Sequence, residues 1–572
     1  MTNNKLNMTI NDYVENNFKL PIEYISHQKL DKNIPNNIEI ESSSNNISLV
    51  SKILKPISSM GTCVGNKLIN YYTTDTNFLK QTQKLINKNN LSFNNNDYSC
   101  ITEFSDKWTK FVNEENFKDQ YLYLDIKMLD FLNKNELYLQ LSSLHNLFSP
   151  LLYILSPLLL LLIPFLILKA KGIPITFDKY FEYFKDVAKN NSLFKLFINF
   201  SDLSSSEKTI YGMQFCFYMF SLYNGIINAI KFYKNIRYIQ EFFISMKKFV
   251  SISINKLTEF NDNCNYSTYS EFVHHNNNCI GYLKKIELEL NKLDHLDVSI
   301  YTISELGKYY KQFYEIYENH SLHNTIYYSF SLWGYIDCLV GIKDNLNQKL
   351  INKCDYSTKQ SKNKFIKCFY PLHINEKYVT NNISITKNKI ISGPNASGKT
   401  TILKSTLLNL ILSQNIGFGC YKKAILCPFD YFHCYINIPD TSGRDSLFQA
   451  EARRCKEIID HAKENSKAKH FCIIDELFSG TNPEEAAESA TAFMNYIAEQ
   501  KNISVFLTTH YRNICEELNN NKKIENFHME TKNKNKKLEF LYKFIPGIST
   551  IKSGKYILGE MKYPGEIMNK FV

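Results

Sequence analysis

Among its 14 cysteines the sequence has no CxxC pair, and its histidines and cysteines form no set at zinc-finger spacing. Neither a disulfide framework nor a metal finger is therefore indicated, and most of the cysteines are expected to be small buried hydrophobes in a reduced compartment. The first residues, MTNNKLNMTINDYVENN, have no basic-then-apolar start, so a cleaved secretory signal is not expected. There is also no internal repeat. What is present is a chain of 572 residues, 44% hydrophobic, long enough for two to four domains with at least one large core. The 67 Lys and Arg against 56 Asp and Glu leave a net charge of +11, a mild bias towards polyanions such as nucleic acid or an anionic membrane surface. Asn and Lys runs recur throughout and carry no functional reading.

One stretch lacks charge altogether. From Leu147 to Leu168 the chain reads LFSPLLYILSPLLLLLIPFLIL, followed at once by Lys169 and Lys171. Its length suits a bilayer-crossing helix, and Pro150, Pro157 and Pro164 are better tolerated in such a span than in a water-exposed helix. A membrane segment is the expectation for 147–168, with a buried helix of a large core as the alternative. The weaker companion 211–230, YGMQFCFYMFSLYNGIINAI, is read either as its hairpin partner or as a core helix.

Residues 1–362 carry long apolar-periodic stretches that suit helices, and a polar, Lys-rich connector, NKCDYSTKQSKNK, runs up to Lys364. Residues 363–572 change texture: short apolar runs alternate with amphipathic helices, the pattern of an α/β domain with a largely parallel sheet. Strands are expected at Lys389–Ser392, in AILCPF and FHCYINI, in HFCIID ending at Asp475, and in ISVFLTTH. Helices are expected at Thr400–Leu412, Leu447–Lys463 and Pro483–Glu499. The fold expectation is thus α plus α/β.

Between the first of these strands and its helix lies Gly393–Thr400, which fits GxxxxGK[ST]. Gly393 and Gly398 let the backbone turn its N–H groups towards phosphates, Lys399 brings a cation to the β and γ groups, and Thr400 offers a hydroxyl to magnesium. The nucleotide contacts expected are Gly393, Pro394, Asn395, Ala396, Ser397, Gly398, Lys399, Thr400 and Thr401. Downstream, HFCIIDE ends an apolar strand in two carboxylates. Asp475 is expected to organise magnesium, and Glu476 to orient and deprotonate the attacking water; the bland alternative is a pair of acids opening a helix. His510, ending the next strand in LTTHY, is placed to sense the γ-phosphate or its water.

Taken together, SGPNASGKTT, IIDELFSGT and LTTHY, in this order and spacing, resemble the MutS family of DNA mismatch-repair ATPases. SLFQAEARRCKEII resembles the family's signature block through Ser446, Phe448 and Glu451, and the sequence after His510 is similar to its closing strands and helix. Asn37–Tyr72 and the WGYIDCLVGI and FIKCFYPLH stretches resemble its helical core more faintly. The LSGGQ-type signature of transporter and chromosome-maintenance ATPases is absent.

The resemblance implies a P-loop ATPase that uses ATP and Mg2+, binds DNA, and works as a homodimer or with a relative, Ser446 reaching the partner's γ-phosphate. Ser446 as a helix N-cap fits the same residue. Tyr378 and Tyr542 fall where the family stacks adenine, and a core aromatic is the alternative for each. Three departures stand out. Ala396 and Ser397 replace a Met-Gly pair; Phe478 and Ser479 stand where Gly and Arg are usual, which bears on communication between paired sites; and the core-like sequence begins too early for the module whose Phe-x-Glu motif reads mismatches. The Phe313-Tyr314-Glu315 triplet sits in a helical context and is read as packing. The functional expectation is an intracellular MutS-like ATPase controlling DNA binding, in mismatch repair or a related process. The alternative is a membrane-tethered switch with a non-repair role, should 147–168 span a bilayer.

Overall fold

The computed structural model describes residues 8–40, 48–88, 95–172, 203–293, 303–436, 446–534 and 537–551, with scattered positions between and beyond. Up to Asn347 the described residues are mainly helical, apart from a short antiparallel ribbon pairing Gln28–Lys29 with Tyr71–Tyr72, and α1 (Ser59–Leu68), α2 (Glu136–Ala170), α3 (Ser205–Asn263) and α4 (His320–Asn347) matter most here. Helix α4 is apolar on nearly every side and buried accordingly. Its glycines are what let neighbours in, since a Cβ on Gly334 would lie 2.6 Å from the Met60 carbonyl oxygen. The one carboxylate it buries, Asp337, accepts from the Ser58 N–H (2.9 Å) and hydroxyl (2.7 Å) at the start of α1. Ser58 in turn caps α1 by accepting from the Gly61 N–H at 2.8 Å, so a single polar network sets both helices.

Helices α2 and α3 lie side by side. A Cβ on Gly225 would lie 2.9 Å from the Tyr153 ring, and the Tyr218 hydroxyl donates to the Tyr153 carbonyl at 3.1 Å. Among the described residues no helix is long and apolar enough to cross a membrane. The membrane reading of 147–168 and 211–230 thus gains no support, yet apolar side chains of both stretches, Leu151, Ile163, Leu166, Phe217 and Phe220 among them, stand exposed. Both stretches are interior parts of longer helices that pack on each other, and α3 runs on from 211–230 into the core through Phe232, Phe242 and Phe249.

The second half contains eleven strands and three principal helices: β1 (Asn352–Tyr356), β2 (Lys364–Cys368), β3 (Asn381–Ser384), β4 (Asn388–Ser392), α5 (Lys399–Asn415), β5 (Phe418–Gly419), β6 (Lys423–Leu426), β7 (Tyr431–Tyr435), α6 (Leu447–Glu464), β8 (His470–Asp475), α7 (Pro483–Glu499), β9 (Ile503–Thr509), β10 (Ile524–Lys534) and β11 (Lys537–Pro546). The helices and strands expected around the glycine loop form within one to three residues of the positions read from the sequence. The polar connector hides a strand: β1 pairs parallel with β6, burying only Cys354 of its five residues, which is why its apolar signal is weak.

The larger sheet runs β11-β10-β4-β9-β8-β7, parallel except for the edge strand β11. The smaller one, β3-β2-β6-β1-β5, is mixed. One apolar core continues from the helices into the larger sheet, including Phe104, Phe242, Leu407 and Phe471. A second fills the opposite face beneath α6 and α7, with Ile458, Met494 and Leu507. The far end of α5 is anchored in the helical half by side-chain amides. Asn415 donates to the carbonyls of Leu68 (2.7 Å) and Tyr71 (2.6 Å), and Gln414 to that of Thr73 (3.3 Å).

Candidate functional site

In the larger sheet, β4 and β8 flank β9, so their carboxyl ends open side by side. The register sets Thr509 opposite Ser392 and Asp475 opposite Thr508. The loop after β4, the acids after β8 and the histidine after β9 are thereby brought to one edge.

The glycine loop turns at Gly398, whose φ of +93° suits glycine, and a Cβ there would lie 3.1 Å from the Tyr542 ring. Ala396 adopts φ +63° without that freedom and sits exposed at the tip beside Asn395. Ser397 is buried, and its hydroxyl oxygen has no hydrogen-bond partner. Lys399, the first residue of α5, is 5% exposed; its ammonium donates to the carbonyls of Gly393 (3.1 Å) and Pro394 (3.2 Å). It also lies 3.2 Å from His510 Nε2 and 4.0 Å from Glu476 Oε1. Burial pushes its pKa below the ordinary lysine value, opposed by the charges of Glu476 and Asp475.

Next to the lysine, the Thr400 hydroxyl donates to Asp475 Oδ2 at 2.8 Å, while the Thr508 hydroxyl donates to the other carboxylate oxygen. Thr400 Oγ1 and Asp475 Oδ2, hydrogen-bonded to each other, are both hard oxygen atoms of the type that magnesium takes as ligands. Glu476 is held with φ +54° and donates its N–H to the Thr508 carbonyl at 3.2 Å. Its side chain meets His510 Nε2 at 2.6 Å. That hydrogen bond, followed by the charges of His510 and Lys399, keeps the Glu476 pKa below the usual carboxylate range against the opposing effect of burial.

On the other side of Gly398 lies a cavity of about 330 Å³ whose lining includes Tyr378, Tyr542, Phe369, Thr401 and Met529. Tyr378 stacks on Phe369 with ring centroids 3.9 Å apart, and both tyrosines are partly exposed. Asn381 fixes the strand that carries Tyr542, donating to the Tyr542 carbonyl (3.0 Å) and accepting from the Phe544 N–H (2.9 Å).

Ser446 begins α6 as an N-cap, accepting from the Gln449 N–H at 3.3 Å in a capping box. It lies apart from the lysine–carboxylate cluster by these contacts. Glu451, one turn on, is buried and accepts from the Ser479 N–H (3.2 Å) and hydroxyl (3.1 Å) and from the Gly480 N–H (3.4 Å). The signature helix is thereby tied to the loop following the two acids. Phe313 is fully buried against Phe111, Phe117 and Phe242, in keeping with packing rather than base contact.

Thr508 and Asn381 were not singled out from the sequence. Thr508 lies in the very LTTH stretch that drew attention to His510, and only strand register shows that its hydroxyl reaches Asp475. Most of the sequence expected to form the closing helix, from residue 552 onwards, lies outside the described residues.

A glycine-turned loop at the carboxyl edge of a parallel sheet, with acids ending a strand two positions away, defines an α/β domain whose loop leads into a helix N-terminus at the sheet edge where such folds commonly bind ligands. Residues 389–571 match the family described as MutS domain V. Similar proteins include the DNA mismatch repair protein MutS of Persephonella marina, 27% identical over 184 residues, which is 32% of this chain and 21% of that protein. The MutS of Bacillus subtilis is 27% identical over 34% of this chain and 22% of its own length. The DNA mismatch repair protein MSH3 of Yarrowia lipolytica is 27% identical over 34% and 19%. The resemblance to MutS proteins thus holds over the C-terminal third of this chain, and the match spans about a fifth of each relative's length.

Proposed function

We propose that this chain is a MutS-like P-loop ATPase that binds and hydrolyses ATP to control DNA binding, in mismatch repair or a related DNA-maintenance process inside the cell. The observation that carries this reading is the convergence of Lys399, the Thr400–Asp475 pair and the Glu476–His510 pair at one sheet edge. Residues 363–572 form the ATPase unit, and residues 1–362 the helical region it drives.

In this reading the loop from Gly393 to Thr401 cradles the triphosphate with its N–H groups, and Tyr378 and Tyr542 enclose the adenine. Lys399, desolvated and held by two carbonyls and His510 with Glu476 4.0 Å away, gains a close anionic partner when the triphosphate binds, which favours its charged form. Thr400 and Asp475 would hold magnesium, which supplies charge neutralisation at the phosphate oxygens. Glu476, kept ionised by His510, holds the attacking water and accepts its proton, while His510 fixes the carboxylate's orientation. Ser446 serves a second chain's site across a dimer, and Glu451 couples its helix to the loop beside the acids. DNA contacts rest chiefly on phosphates, given the net charge of +11, and are salt-sensitive.

The test is ATP turnover by the full chain with no DNA, homoduplex or heteroduplex. Turnover should be abolished in Lys399→Ala and Glu476→Gln; wild-type rates in those variants would overturn the site. Stimulation by heteroduplex alone would add mismatch readout to the proposal, whereas equal stimulation by both duplexes supports general DNA maintenance.

A further inference from the structure

Three histidines that are remote in sequence meet beneath α6. His433 lies on β7 and His470 opens β8, and the parallel register pairs His470 with Tyr431 and Cys472 with His433, so both imidazoles project from the same face of adjacent strands. His461, in the last turn of α6, descends onto them. One ligand nitrogen from each of the three lies within 4.8 Å of the others. We propose that His433, His461 and His470 form a binding site for a divalent transition cation of the zinc class, separate from the phosphate site.

Four observations support the site. First, the three ring centroids form a nearly equilateral triangle, 5.4, 5.4 and 5.5 Å on a side. Three imidazoles bound tetrahedrally at a zinc–nitrogen distance of about 2.0–2.1 Å place their centroids about 5 Å apart and their nitrogens about 3.3 Å apart. His433 Nε2 and His470 Nδ1 are 3.1 Å apart, close to that spacing already.

Second, the outer hydrogen bond that orients a metal-bound imidazole is in place. His470 Nε2 lies 3.3 Å from the Asn465 carbonyl, which makes Nδ1 the acceptor in the contact with His433 Nε2 and the atom a cation would take in place of that hydrogen bond. Third, His461 Nδ1 is buried with no hydrogen-bond partner, a cost that a further ligand to the cluster would remove. Fourth, His433 and His461 line a cavity of about 330 Å³ that also reaches Asp31, Tyr72 and Arg454. It provides an entry path and room for water at a fourth position.

An imidazole-only set favours zinc, copper or nickel over magnesium or calcium, which take oxygen ligands, so the two sites would not compete for one ion. Zinc held here ties the C-terminal turn of α6 to β7 and β8. It thereby fixes the helix whose other end carries Ser446 and whose middle clamps the loop after the acids.

The experiment uses the full chain, stripped with chelator and dialysed against Zn2+ alone. Expected are one equivalent of zinc per chain in excess of that in His461→Gln and His433→Gln, and a higher thermal midpoint with zinc that both variants lose. The two positions are only partly buried, so the variants should fold; circular dichroism checks this. Independently of any variant, Co2+ bound to the wild type should show tetrahedral visible bands without a thiolate charge-transfer band. Zinc content equal in wild type and variants, no retained zinc, or a cobalt spectrum dominated by thiolate would each overturn the site.

Discussion

Two lysines buried to the same degree, Lys67 and Lys399 at 5% exposure, show how differently the two halves of the molecule treat a charge. In the helical half, Lys67 of α1 donates to the carbonyls of Val14 (3.1 Å) and Phe18 (2.6 Å), at and just beyond the end of the short helix Ile10–Asn16, and pairs with Glu23 at 3.2 Å. Every direction of its ammonium is met by a fixed acceptor, so it serves as a staple. At the sheet edge, Lys399 has two loop carbonyls, a histidine and a carboxylate at 4.0 Å, beside a cavity that opens towards solvent. The lesson is that burial alone does not distinguish structural from functional charge. What distinguishes them is the kind of partner: fixed carbonyls and a carboxylate at 3.2 Å around Lys67, but a histidine and a half-exposed carboxylate at 4.0 Å around Lys399.

The sharpest way to break this comparison is to remove each charge in turn. Lys399→Ala and Glu476→Gln should lower ATP turnover by about 10²–10³ or more, with the denaturant midpoint close to that of wild type. Lys67→Met should do the reverse. Leaving Glu23 and the carbonyls unpaired should cost about 3 kcal/mol in urea unfolding, while turnover per folded molecule holds. Loss of activity without loss of stability on changing Lys67, or the opposite on changing Lys399, would erase the distinction.

A smaller effect is expected at Ala396, whose left-handed backbone carries strain. Ala396→Gly should raise stability by up to about 1 kcal/mol and leave nucleotide affinity intact, as seen by denaturant titration and calorimetry. The smallest concerns Glu476, whose folded-state pKa is depressed by His510. The pair's stabilisation is complete above the ordinary glutamate range and is lost as pH falls through the depressed value. Wild type should therefore exceed Glu476→Gln slightly in thermal midpoint at neutral pH, and the gap should close in acid. Because Glu476 is 44% exposed, that gap is small.

The glycine loop was readable because its chemistry lies in consecutive residues: Gly398, Lys399 and Thr400 are neighbours in the chain, and a strand and helix flank them. Asp475, Glu476 and His510 were readable for a related reason, since each ends an apolar run whose length gives the strand away. The strand at Asn352–Tyr356 escaped notice because it buries a single cysteine and leaves its charged residues out. The uncharged run at 147–168 is ambiguous for a different reason. Hydropathy measures transfer from water without saying whether a lipid or another helix receives the surface, and here α3 receives part of it. No spacing rule relates His433, His461 and His470, because strand register and the descent of α6 set their meeting.

By itself the amino-acid sequence determined the strands and helices around the glycine loop, where the backbone must turn at Gly398, and which side chains end the strands at the sheet's carboxyl edge. These follow from local sterics and from apolar periodicity, which act over a few residues. Tertiary structure alone decided that Thr508 grips Asp475, that Asn415 anchors the loop helix to the helical half, that Glu451 clamps Ser479 and Gly480, and that three imidazoles share one pocket. Each of those contacts joins residues far apart in the chain, and only the packing of whole elements against one another fixes such distances.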